Sequence, residues 1–118
     1  MLFRSLLQVF RNLTTNALQA MTAGGTLRLT TRRDPSHHSI QASVADTGPG
    51  LAPEALKHIF EPFFTTKAEG TGLGLAIARE IALALRGELH AANRADQAGA
   101  VFTLTLPAAP LASNGEPH

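Results

Sequence analysis

The chain has 118 residues, of which 44% are hydrophobic and 16% charged, and its net charge is +1. That length makes one domain around a single core, and a near-neutral balance without a run of basic residues argues against a nucleic-acid partner. The absence of cysteine excludes disulfides and thiolate-held zinc and fits a reducing compartment.

The N-terminal apolar run is interrupted by Arg4, Gln8 and Arg11, and no small-residue cleavage site follows it, so it does not read as a signal sequence. No stretch approaches the about 20 apolar residues that cross a bilayer. The chain is expected to be cytoplasmic and to make no membrane contact. Leu6, Phe10, Leu13, Ala17 and Met21 recur at helical spacing and predict an amphipathic helix over 4–21, stopped by Gly24 and Gly25. Alternation predicts strands over 26–32 and 40–45, joined as a hairpin through a turn at Asp34, Pro35 and Ser36. A dense turn signal follows, Asp46-Thr47-Gly48-Pro49-Gly50. Pro53 and Glu54 open a short helix to about residue 59. Residues 63–71 read as loop, and the next helix carries Leu73, Ile77, Ile81 and Leu85 and ends at Gly87. Strands over 88–93 and 100–106 flank a turn at 96–99. Residues 108–118 lack any period and are expected to be a disordered tail, leaving 1–107 as the domain. The order helix, hairpin, helix, helix, hairpin predicts an α+β two-layer sandwich with a mixed sheet covered on one face.

Three segments carry more than architecture. Gly70-Thr71-Gly72-Leu73-Gly74-Leu75 opens a helix, where each internal glycine costs about 0.5–1 kcal/mol against alanine. Bare backbone at a helix start suits an anion such as phosphate, although glycine clusters also mark ordinary turns. Along the first helix Gln8, Asn12, Asn16 and Gln19 form one polar stripe. It is either a solvated face or a source of amide oxygens for a hard cation such as magnesium, which keeps most of its shell as water and phosphate. Asp46 either closes an Asx turn or accepts a hydrogen bond from the exocyclic amine of adenine. Guanine offers a carbonyl there, and the unmatched acceptors would cost about 1–3 kcal/mol.

In this order the segments resemble the catalytic, ATP-binding domain of the two-component sensor histidine kinases, within the GHKL-type superfamily of DNA gyrase and the mismatch-repair ATPases. Residues 8–20 resemble the N box and Asp46-Thr47-Gly48-Pro49-Gly50-Leu51 the first glycine box. Residues 59–67, with Phe60, Phe63, Phe64 and Lys67, resemble the F box, and residues 70–77 the second glycine box. Residues 99–107 are similar to the last strand of the family.

The resemblance implies the Bergerat ATP-binding fold, a mostly antiparallel sheet with about three helices on one face, and ATP with Mg2+ as cofactors. It implies that Asn16 ligates the metal and that Asn12 is its polar companion. Asp46 would recognise adenine while Gly48 and Gly50 let backbone approach the base. Lys67 would reach the phosphates from a lid, and Gly70, Thr71, Gly72, Leu73, Gly74 and Leu75 would hold them. The phenylalanines would anchor the lid, though Phe60 reads equally as a core residue. Gyrase-like relatives carry a glutamate base where this chain has Asn12, which takes no proton at neutral pH. Rapid hydrolysis is therefore not expected. Instead the γ-phosphoryl, with Asn12 and Lys67 as the catalytic pair, would pass to a histidine on a separate dimerisation domain and thence to a response regulator. The chain would then be the cytoplasmic part of a membrane-bound or free sensor. A sigma-factor-regulating serine-protein kinase of the same superfamily, or a non-catalytic ATP-binding interaction module, are the alternatives.

None of the five histidines has the context of a phosphoacceptor or of a metal ligand. Three departures from the family pattern are visible. The family enters through a strand before the N box, for which Met1 to Phe3 leave little room; the lid is short; and Ala100 stands where many members offer a threonine to the aspartate. A valine at Gly72 is expected to abolish ATP binding while leaving the fold cooperative.

Overall fold

The computed structural model describes residues 2–65 and 72–108. The elements are α1 (Leu2–Ala20), β1 (Arg28–Asp34), a 3-10 turn (Pro35–His37), β2 (Ser39–Ala45), α2 (Pro53–His58), α3 (Gly74–Ala84), β3 (Glu88–Asn93) and β4 (Ala100–Pro107). The four strands form one sheet in the order β1-β2-β4-β3, and all three pairings are antiparallel. The α+β sandwich is present, and its sheet is antiparallel at every described pairing rather than mixed.

Strand alternation builds the layers. Val44 lies opposite Phe102, and Leu104 is flanked by Ala42 and Leu89. Val44, Leu89, Phe102 and Leu104 meet Val9, Leu13 and Ala17 of α1 and Ala78 and Ala82 of α3 in one core, with Ile59 closing it near α2. Each large side chain buried there, Leu13 or Phe102, contributes about 1.5–3 kcal/mol. The other sheet face is polar: Ser43 and Thr103 share a hydroxyl hydrogen bond of 3.2 Å, beside Gln41 and Thr105.

The face that α3 buries differs from the one its sequence suggests. Ala78 and Ala82 are fully buried, while Ile77 is 39% exposed and Ile81 and Leu85 are half-buried. Because α3 lies along α1, small residues at the contact let the two helices approach closely. The larger side chains are left to the flanks.

β1 starts two residues later than the alternation predicts. Gly24 and Gly25 take φ values of 92° and 155°, and the Thr26 N–H donates to Thr47 Oγ1 at 2.9 Å instead of to a neighbouring strand. The compact turn at Pro35–His37, closed by His38 at φ 51°, extends the far end so that Asp34 pairs with Ser39. At the end of α3 the left-handed residue is Arg86, at φ 65°, and the Gly87 N–H bonds the Ala82 carbonyl at 2.8 Å. Gly87 is glycine for another reason: a Cβ there would collide with the Thr105 carbonyl oxygen.

Candidate nucleotide site

The crevice forms where β2 runs out into the first glycine box and β4 begins, roofed by the C-terminal half of α1. Its cavity of about 280 Å³ is lined by Asn16, Gln19 and Thr22 on the helix side and by Asp46, Leu51 and Phe102 on the sheet side. That is close to the lower bound, about 300 Å³, of ordinary small-molecule sites. It accommodates one heterocycle rather than a whole nucleotide.

Asp46 is only 2% exposed. Its Oδ1 accepts two backbone N–H bonds, from Gly48 at 2.9 Å and from Ala100 at 3.1 Å. The polar partner that Ala100 lacks in its side chain is thus supplied by its main chain. Oδ2 makes no hydrogen bond among the described residues. Since no fully buried side-chain oxygen there lacks a partner, Oδ2 opens to the cavity. One oxygen is held by the protein and the other is left to the cavity. An anionic acceptor in such a wall selects a donor and rejects a carbonyl.

The glycines of the first box have reasons internal to the protein. A Cβ on Gly48 would stand 2.9 Å from the Ala20 carbonyl oxygen, so Gly48 lets the loop pass beneath the end of α1. Gly50 has φ 82°, and a Cβ there would stand 2.8 Å from Asn93 Oδ1. Gly50 lines the cavity, whereas Gly48 does not.

The amide stripe divides. Asn16 lines the cavity. Asn12, one turn earlier, sends its Nδ2 to the Gly74 carbonyl at 3.0 Å and so ties α1 to the start of α3. Among the described residues no side-chain hydrogen bond caps α3, which begins at Gly74 after Leu73. A Cβ on Gly74 would meet nothing nearer than Asn12, at 4.0 Å. On that side no described residue other than Asn12 comes near, and the first N–H groups of a helix are of the kind that suits an anion. Leu75 is half-buried against the core. Leu73 is half-buried as well.

Gly72 behaves differently. Its φ is 77°, its carbonyl accepts the Phe63 N–H at 2.8 Å, and a Cβ on it would collide with the Phe63 backbone. The expectation that valine at Gly72 leaves the fold intact is corrected by this contact: the side chain would strike the F box before reaching any ligand. Within that box, Phe60 packs edge-on against Phe102 at 6.2 Å. Phe64 packs on the core beside the His58 ring. Phe63 is 74% exposed and holds on through its main chain. Lys67, Gly70 and Thr71, assigned to the lid and the phosphates from the sequence, lie outside the described residues, as does the expected tail from 109 onward.

Sequence reading missed Asn93 and Arg94, which grip the two ends of the first glycine box. Their bonds reach across more than forty positions (|i−j| = 42 and 48) and leave no local pattern. Among the histidines, His37, His58 and His90 sit against Asp34, Glu61 and Glu88. Among the described residues no three His, Cys, Asp or Glu side chains converge as a metal site.

The sequence profile of the family described as histidine kinase-, DNA gyrase B- and HSP90-like ATPase matches residues 2–110. The signal transduction histidine-protein kinase AtoS of Escherichia coli strain K12 is 44% identical over 104 residues, covering 87% of this chain and 17% of AtoS. The chain thus spans about a fifth or less of that relative. Among solved structures, the mycobacterial sensor histidine kinase MprB superposes with a TM-score of 0.80 at 28% identity, covering 92% of this chain and 75% of that one. Full-length ShkA in complex with AMPPNP superposes with a TM-score of 0.75 at 37% identity, covering 91% of this chain and 23% of ShkA. With Asp46 flooring a cavity beside its first glycine box, this chain belongs to the histidine kinase-, DNA gyrase B- and HSP90-like ATPase family, as an ATP-binding catalytic domain of the histidine kinase kind.

Proposed function

We propose that residues 1–107 bind ATP with adenine in the Asp46 cavity and the phosphates directed toward the start of α3, and present the γ-phosphoryl to a histidine on a separate dimerisation domain. The observation that carries this reading is the divided carboxylate of Asp46, Oδ1 saturated by backbone and Oδ2 open to a cavity of one heterocycle's size. It supports an amino-purine over a keto-purine. The relation to AtoS and the AMPPNP complex of ShkA supports a kinase reading over a passive nucleotide module.

Magnesium fits the residues present. Asn16 supplies a neutral amide oxygen beside the cavity, which suits a hard cation taking its other oxygens from triphosphate and water. When bound it would offset phosphate charge. The chain's own groups do the rest. The first N–H groups of α3 would receive phosphate oxygens, and Lys67 and the residues at 70–75 would complete the phosphate-binding segment. Asn12 fixes α1 against α3 and, lacking a titratable proton, activates no water. Transfer then requires an outside nucleophile: an imidazole nitrogen of the partner forms the new N–P bond as the bond to the β,γ-bridging oxygen breaks. ADP departs, and the imidazole proton passes to solvent. A response regulator would receive the phosphoryl afterwards. Dependence on ATP supports a cytoplasmic position for this domain.

Calorimetric titration with a non-hydrolysable ATP analogue, with and without magnesium, tests the binding half. Mixing the chain with a histidine-bearing dimerisation domain and labelled ATP tests the transfer half, and the product should be acid-labile. An acid-stable product would assign the chain to serine-protein kinases instead. Nucleotide binding without any transfer would leave an interaction module.

A further inference from the structure

We infer that the β3–β4 turn is a clamp that shapes the adenine cavity, with Asn93 and Arg94 as positioning residues for base recognition; this rests on the ATP-binding reading above. Neither residue lines the cavity. Both act through the ends of the segment 46–51, where Asp46 and Leu51 do line it.

Asn93 is the last residue of β3 and pairs with Ala100. Its side chain treats Leu51 as a neighbouring strand would: Oδ1 accepts the Leu51 N–H and Nδ2 donates to the Leu51 carbonyl, each at 2.7 Å. Gly50 makes room for this, since a Cβ on it would press on Asn93 Oδ1. At the opposite end of the segment, Arg94 Nη1 donates to the Asp46 carbonyl at 3.2 Å. The Arg94 side chain is only 9% exposed and is itself gripped by Asp96, through Nε to Oδ1 at 3.2 Å and Nη2 to Oδ2 at 3.1 Å. The Arg94 N–H closes the turn on the Gly99 carbonyl at 2.9 Å. Gly99 cannot carry a side chain, because a Cβ would collide with the Asp46 carbonyl oxygen. One turn therefore holds both ends of the first glycine box, at the residue that offers Oδ2 and at the residue that forms the cavity wall.

The physical consequence is preorganisation. A loop fixed before the ligand arrives has little freedom left to lose on binding. A fixed carboxylate also cannot swing away from a mismatched carbonyl, so rigidity sharpens the choice between amino- and keto-purines. Releasing the clamp should weaken adenine binding, shrink the preference over guanine, and leave the magnesium dependence intact, because the α1–α3 end is untouched.

The test uses the 118-residue chain and non-hydrolysable analogues of ATP and GTP in calorimetric titration with magnesium. Asn93→Ala, a surface change, is expected to lower adenine affinity about ten-fold and guanine affinity by less, so that the ratio of the two contracts. Asp96→Ala, which frees Arg94 from the solvent side, should contract the ratio in the same direction by a smaller factor. A residue that merely stabilised the fold would lower the melting temperature without moving that ratio. If both variants are folded and keep the wild-type ratio, the clamp is overturned while ATP binding stands. If the wild-type chain binds neither analogue, the clamp and the ATP-binding reading fall together.

Discussion

Asp46→Asn separates the two oxygens of the carboxylate that the cavity is built around. The backbone donors of Gly48 and Ala100 hold Oδ1 at 2.9 and 3.1 Å, so the amide oxygen is expected to take that place and the NH2 to replace Oδ2. Two N–H bonds to an anion become bonds to a neutral acceptor, and a loss of about 1–2 kcal/mol in stability follows. In a domain of about 100 residues that lowers the melting temperature by roughly 4–16 °C. Against the ligand the change is larger. The exocyclic amine of adenine loses a charge-assisted partner and meets another donor, at about 1.5–3 kcal/mol, which is about 10–150-fold in affinity. Guanine, with a carbonyl at that position, gains a donor. Calorimetric titration of both analogues into both proteins should therefore show the ATP preference lost or inverted. An Asp46→Asn protein that melts cooperatively and keeps the wild-type preference would refute base recognition by Asp46.

Gly74→Ala and Gly72→Ala should differ in kind. At Gly74 the methyl meets no described residue closer than Asn12, at 4.0 Å, so the fold should be retained and phosphate affinity should fall. At Gly72, with φ 77° and the Phe63 backbone in the way, thermal melting should show a loss of about 1–3 kcal/mol. Asn16→Asp should change the magnesium dependence of nucleotide binding by a larger factor than Asn12→Ala does, and equal small effects would count against Asn16 as the metal-side residue. The His58 imidazole is held above its ordinary value of 6.5 by the hydrogen bond to Glu61 and then by the charges of Glu61 and Glu54. A raised value means that the pair stabilises the fold below that ordinary value and that the contribution is lost as pH rises through the folded value. Glu61→Gln should shift the His58 proton resonance titration downward; no shift would refute the pairing.

What could be read from the sequence was whatever has a short period or a local signature. The apolar rhythm of Leu6, Leu13 and Ala17 announces α1, alternation announces the four strands, and the first glycine box announces the loop that carries Asp46 and Gly50 onto the cavity wall opposite Asn16. The rest depends on tertiary contact. Ile77 looks like a core residue in the linear pattern, yet the closeness of α1 and α3 selects Ala78 and Ala82 instead. Gly72 reads as phosphate-binding, yet its conformation answers to Phe63. Ala100 reads as a lost partner for Asp46 because only side chains are visible in a sequence, whereas the bond comes from its main chain. Asn93 and Arg94 are ordinary turn residues until β3 and β4 pair, and only then do their side chains reach Leu51 and Asp46.

The most direct measurement is a crystal structure of the chain grown with magnesium and a non-hydrolysable ATP analogue. The adenine amine should lie within hydrogen-bond distance of Asp46 Oδ2, with the phosphates running past Asn16 toward the N–H groups that open α3. Nucleotide bound elsewhere, or a cavity closed by Gln19, Leu51 or Phe102 at saturating ligand, would contradict the assignment.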